Sequence, residues 1–153
     1  MKKWALSGGA ILVLAVGACA ETAILPATYE TSWKAALEVM KVRPETLDVV
    51  KKSEGRIVTR QMEVDTGRFS AWVKFPDGSE KPAYDKGRYL MELCLIKRKA
   101  QSTQIAVSAT PEYFGTPLGS SPRPPLWYSC ESNRVLERSF INDLRVKIKG
   151  GAR

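Results

Sequence analysis

The chain has 153 residues, 44 % of them hydrophobic, with 24 Lys plus Arg, 16 Asp plus Glu and no histidine. This length and apolar content suit one folded domain and exclude a disordered polymer. Without histidine no Ser-His-Asp or Cys-His centre can be built. The formal charge of +8 speaks to association and solubility, not to fold.

The chain opens on Lys2 and Lys3, followed by an uncharged apolar stretch from Trp4 to Ala18. The stretch is shorter than the ~20 residues a membrane span needs and has the length of a signal-peptide core. Val16-Gly17-Ala18-Cys19 comes directly after it and resembles the lipobox of bacterial lipoproteins. The resemblance implies cleavage before Cys19, diacylglycerol on its thiol and acylation of its freed amine. An ordinary secretory signal cut after Ala18 or Ala20 is the alternative. Loss of Lys2 and Lys3 with residues 1–18 lowers the formal charge from +8 to +6. Ala20, where an inner-membrane lipoprotein carries Asp, resembles the sorting pattern of the outer membrane in a Gram-negative envelope. Residues 19–27 read as the lipidated cysteine and a tether. Eight residues of it reach at most about 27 Å, which holds the domain against the membrane.

The domain is expected over residues 28–149, with 150–153 as a tail. Thr28 is the N-cap of a helix over 29–42. Tyr29, Trp33, Leu37 and Met40, with Ala36, form its apolar face. Pro44 stops it. Residues 46–51 and 56–60 form a hairpin around Lys52-Ser53-Glu54-Gly55. Phe69, Ala71, Val73 and Phe75 alternate with polar residues and Trp72, which predicts a strand, and Pro76-Asp77-Gly78 predicts a turn. The clearest strand runs over 88–98, with Tyr89, Met91, Leu93 and Leu95 on one side. It turns at 99–102 and returns over 103–110 as an antiparallel partner.

Residues 111–128 hold five prolines and two glycines and read as a long loop, flanked by Tyr113 and Phe114 on one side and Trp127 and Tyr128 on the other. These four aromatics are candidates for partner binding. The plainer alternative is a crossing loop stiffened by proline. The last helix is expected over 132–149, with Leu136, Phe140, Leu144 and Ile148 at four-residue steps and Val135 and Ile141 broadening the face.

The class is therefore α+β: an antiparallel sheet of four to five strands, with an N-terminal and a C-terminal helix packed on one face. Tyr29-x-x-x-Trp33-x-Ala35 followed by Gly55-x-Ile57-x-Thr59 is similar to the repeated domain of the lipoprotein subunit of the outer-membrane β-barrel assembly machinery. The resemblance spans about thirty residues and implies a non-catalytic binding module. Trp33, Gly55 and Ile57 match, in packing and turn roles. The Pro-rich stretch and the pair Cys94 and Cys130 depart from it.

With Cys19 lipidated, Cys94 and Cys130 remain, and two thiols in an oxidising compartment are expected to pair. The chain-entropy model gives such a bridge about 4 kcal/mol. Two free thiols or a metal site are the alternatives, and two cysteines without histidine argue against the metal. No metal or cofactor is expected. Glu92 reads as an exposed strand residue rather than a buried acid.

Three functions follow. The first is an envelope lipoprotein, held to the membrane by Cys19, that binds an envelope protein. The second is a basic module for anionic lipid or glycan, using Arg88, Lys97, Arg98, Lys99, Arg145, Lys147 and Lys149. The third is a cell-wall enzyme with paired carboxylates. Nucleic acid is not expected as a partner of an exported chain.

Overall fold

A computed structural model describes residues 20–75, 82–116 and 124–151. The leader 1–18, Cys19, the expected turn at 76–78 and residues 117–123 of the Pro-rich stretch lie outside the described residues. The order is β1 (Glu21–Leu25), α1 (Tyr29–Val42), β2 (Leu47–Lys51), β3 (Arg56–Thr59), β4 (Met62–Val64), α2 (Thr66–Trp72), β5 (Val73–Lys74), β6 (Ala83–Lys99), β7 (Ser102–Thr116), β8 (Leu126–Ser129), β9 (Glu131–Ser132) and α3 (Val135–Gly150). The fold is mixed α+β, built on a seven-stranded antiparallel sheet in the order β1-β7-β6-β3-β2. β4 adds to β6 and β8 adds to β7, and β5 and β9 form a separate pair. No described helix is long and apolar enough to cross a membrane.

The sheet exceeds the expected four to five strands because both strands of the central hairpin are longer than the apolar run that announces them. β6 pairs with β7 from Ala83↔Thr116 to Lys99↔Ser102. Tyr89, Met91, Leu93 and Leu95 of β6 and Ile105, Val107 and Ala109 of β7 turn to the face that α1 and α3 cover. Leu136, Phe140, Ile141, Leu144 and Ile148 of α3 meet Trp33, Ala36, Val39 and Met40 of α1 in the same core. Val135 does not broaden the α3 face, being 47 % exposed. α3 also begins later than expected, because Glu131 and Ser132 pair with Lys74 and Val73.

The expected start of α1 is observed. Thr28 Oγ1 accepts the Thr31 N–H at 3.1 Å. Gly55 closes the β2–β3 turn at φ 65°, and a Cβ there would lie 2.1 Å from the Leu95 carbonyl oxygen. Only glycine satisfies both demands.

Three readings are corrected. The tether is mostly strand: Glu21 to Leu25 pair with Val107 to Thr103 of β7, with Leu25 fully buried and Ala23 8 % exposed. Alternation over five residues was too short to announce it. Residues 69–72 are helical, because Asp65 Oδ1 accepts the Arg68 N–H at 2.9 Å and starts a helix that carries Phe69 onto Gly87. Residues 111–128 are no long loop, since β7 runs on to Thr116 and β8 pairs back from Leu126. Pro111 fits the strand because its backbone faces β8, away from the β6 ladder. Its carbonyl accepts the Cys130 N–H at 3.1 Å.

Candidate binding surfaces

The β7–β8 pairing brings all four candidate aromatics together in two pairs. Tyr113 lies opposite Tyr128, and Phe114 opposite Trp127. Successive strand residues face opposite sides, so one pair points to the helix side of the sheet and the other to its outer side.

On the helix side, Tyr113 and Tyr128 stack with centroids 5.5 Å apart. Tyr84 and Phe75 stand 6.0 Å from Tyr113, and Phe69 meets Tyr84 edge-on at 5.5 Å. Phe69 is fully buried against Gly87, where a Cβ would lie 2.1 Å from the ring. These rings form a second, smaller core with Val73 and Cys130. Burial raises the Tyr113 and Tyr84 phenols above their ordinary value.

On the outer side, Phe114 and Trp127 lie 5.5 Å apart. The Arg88 guanidinium sits 3.8 Å from the Trp127 ring centre, and Lys86 Nζ stands 5.8 Å from Phe114. Arg88 is held by Glu112 at 2.6 Å, and Gln61 donates to the same carboxylate at 3.0 Å. Leu126, at the end of β8, is 54 % exposed. Lys86 does not figure in the reading from sequence and Arg88 figures there only as a surface charge. Their parity along β6 was readable, but the bulge between Tyr84 and Lys86 was not. That bulge puts Tyr84 on one face and Lys86 on the other.

Cys94 and Cys130 are both free thiols, which corrects the expected disulfide. Cys94 pairs with Ala106 on the outer face, whereas the Cys130 N–H reaches Pro111. Five β7 residues at ~3.3 Å each separate these positions, about 16 Å, against the 4.4–6.8 Å that a bridge requires. Burial, with Glu112 nearby, pushes the Cys130 thiol up to about 12. Burial, with Glu92, raises Cys94. Both thiols are therefore protonated at neutral pH and poor nucleophiles or ligands.

Two buried carboxylates went unnoticed in the sequence. Glu45, 5 % exposed, accepts from Arg43 Nε at 3.2 Å and from the Tyr89 hydroxyl at 2.9 Å. Burial first, then Glu45, raises the Tyr89 phenol. Arg43 also meets Asp143 at 3.0 Å, tying the end of α1 to α3. Glu137, fully buried, accepts the Ala109 N–H at 3.1 Å and the Ser132 hydroxyl at 2.9 Å. Ala109 lies in the gap between β1 and β8 along one edge of β7, where no strand supplies an acceptor. Both acids close polar gaps in the packing. Glu92 is half-exposed and pairs with Arg56 at 2.6 Å.

Beside Arg88, the other six basic candidates divide between strand and helix. Lys97, Arg98 and Lys99 sit at the β6–β7 turn, all exposed. Lys147 faces α1 and pairs with Glu38 at 2.8 Å, which holds the Glu38 carboxyl below its ordinary range. Arg145 and Lys149 are exposed on another side of α3. Comparison with protein-family models and with curated proteins finds no match.

Proposed function

We propose that this chain is an envelope lipoprotein, anchored through lipid on Cys19, that acts as a non-catalytic binding module for an envelope protein. The contact site is the outer face of the β7–β8 ribbon, with Phe114, Trp127 and Arg88 at its centre. The carrying observation is the Arg88 guanidinium stacked 3.8 Å from the Trp127 ring beside Phe114. Trp and Arg dominate binding energy at protein interfaces when a rigid support holds them in place. Here the support is a strand pair, and Glu112 fixes the guanidinium at 2.6 Å. The anchor is supported by Val16-Gly17-Ala18-Cys19 and by the start of β1 two residues later, which leaves almost no spacer. Ala20 after the cysteine supports the outer membrane, with the domain facing the periplasm.

A second reading, contact with anionic lipid or glycan, is favoured by one observation: Arg145 and Lys149 share an exposed side of α3 with Arg138.

The test is crosslinking in the intact envelope, comparing wild type with Trp127→Ala and Arg88→Ala. A partner recovered with wild type should fall at least about tenfold with either variant, as truncating a binding hot spot costs about 2 kcal/mol or more. Recovery of the same proteins by all three chains would overturn the assignment of the site.

A further inference from the structure

A basic flank of α3 runs along the edge of the sheet at which β1 begins. At 100° per residue, Arg138, Arg145 and Lys149 fall within one narrow sector of the helix, and Arg134, the N-cap, stands in line with them. Asp143 and Lys147 fall on the far side of the buried stripe and pair with Arg43 and Glu38 of α1. The flank therefore turns away from α1, and Arg134 and Arg138 reach Glu21, the first residue of β1, at 3.7 and 3.6 Å. Among the described residues Arg145 and Lys149 have no carboxylate within ion-pair distance, so Glu21 alone opposes four cations.

The same structure sets where the chain enters the sheet. Glu21 pairs with Val107, so an upstream extension of β1 would need the Ala109 N–H two positions on. That N–H is already given to Glu137 Oε1 at 3.1 Å. β1 therefore stops at Glu21, beside Arg134 and Arg138, and Cys19 is two residues upstream.

We propose that Arg134, Arg138, Arg145 and Lys149 lie on the anionic phospholipid headgroups of the membrane that holds the acyl chains of Cys19. This inference rests on the lipoprotein reading above. The acyl chains hold the protein, and the flank fixes which side faces the bilayer. Cations within a Debye length of an anionic leaflet are drawn to it, and salt screens the attraction. The β1 edge then lies on the membrane while the sheet extends away from it through β7, β6, β3 and β2.

Lys147 and Lys149 provide an internal control, because both are exposed on one turn of α3 but face different ways. Membrane-extracted protein is reconstituted into phosphatidylcholine vesicles with or without about 30 % phosphatidylglycerol. Acetylation by a water-soluble reagent is then read by peptide mass. Anionic vesicles should slow labelling of Lys149 at least about threefold relative to Lys147, and about 0.5 M salt should erase the difference. Arg145→Glu, a surface change that leaves the core intact, should reduce the protection of Lys149. Intact mass of the same preparation reports the acyl chains. An acylated chain whose Lys149 labels equally in both vesicle types overturns the flank and leaves the anchor standing. A chain without acyl groups overturns both.

Discussion

The two ends of the long β6–β7 hairpin are held by different means. Under α1 and α3 the sheet is sealed mainly by aliphatic side chains around Trp33, Tyr89 and Phe140: Leu25, Ile57, Met91, Leu93, Ile105, Val107 and Leu144 are fully buried. Beyond the helices, towards β8, the strands carry rings instead. Phe69, Phe75, Tyr84, Tyr113 and Tyr128 pack there, and all but Phe69 and Tyr113 stay partly exposed. An aliphatic core needs a second layer to exclude water, whereas aromatic pairs across a ladder stabilise strands that have only a short helix above them. The helix-covered end is closed, and the ringed end leaves apolar and cationic surface uncovered, where the proposed contact lies.

Four changes would break or sharpen this contrast. The largest effect is expected from Phe140→Ala, which opens a cavity beneath both helices and should cost about 3–5 kcal/mol. Its urea transition, followed by near- and far-ultraviolet dichroism, should move as one. Separate transitions would mean that the two ends unfold independently.

Gly87→Ala comes next. The new Cβ would meet the Phe69 ring at 2.1 Å, and overpacking of that kind costs about 1–3 kcal/mol. The loss should concentrate in the near-ultraviolet signal of the ringed end, with α1 and α3 retained in the far ultraviolet. A uniform loss of both signals would count against the contrast.

Alkali should also discriminate between the ends. Cys130 holds its proton more tightly in the folded chain, its value raised by burial from 9.0 to about 12. Its contribution is whole below pH 9 and is lost as the pH rises toward 12. Tyr89, raised by burial and by Glu45, behaves in the same sense from pH 10 upward. Melting temperature should therefore fall above pH 9, and Cys130→Ala should flatten the first part of that fall. An unchanged slope in the variant would contradict the assignment.

The smallest effect is kinetic. The two free thiols report one on each end: Cys94 on the sheet centre, Cys130 beside the rings. Labelling by iodoacetamide at low urea, read by peptide mass, should modify Cys130 before Cys94, because the ringed end opens at lower free energy. Intact mass without reductant should show neither thiol oxidised. A mass two units lower after removal of Cys19 would restore the bridge.

Local pattern carried much of this fold. Thr28 and Pro44 bracket α1 at the residues observed, and Gly55 marks the β2–β3 turn by a conformation that few other residues adopt. The step of four from Leu136 to Ile148 names the buried side of α3, and alternation from Tyr89 to Leu95 names the inner face of β6. Such features depend on neighbours within one turn or one strand, so they can be read in order along the chain. The partners of those segments could not be read in that way. Glu21 to Leu25 become a strand because β7 has an open edge there, and Glu45 and Glu137 are buried because Tyr89, Arg43 and Ala109 present them with donors. Residues 66–72 turn helical over a glycine fifteen or more positions away, which no local alternation encodes. Cys94 and Cys130 stay apart for the same reason: register places them on opposite faces of one sheet. The candidate aromatics were visible as residue types, but the stacking of Arg88 on Trp127 exists only once β6, β7 and β8 lie side by side. Contacts between residues distant in sequence come from hydrogen-bond register and shared burial, and those are properties of the assembled sheet.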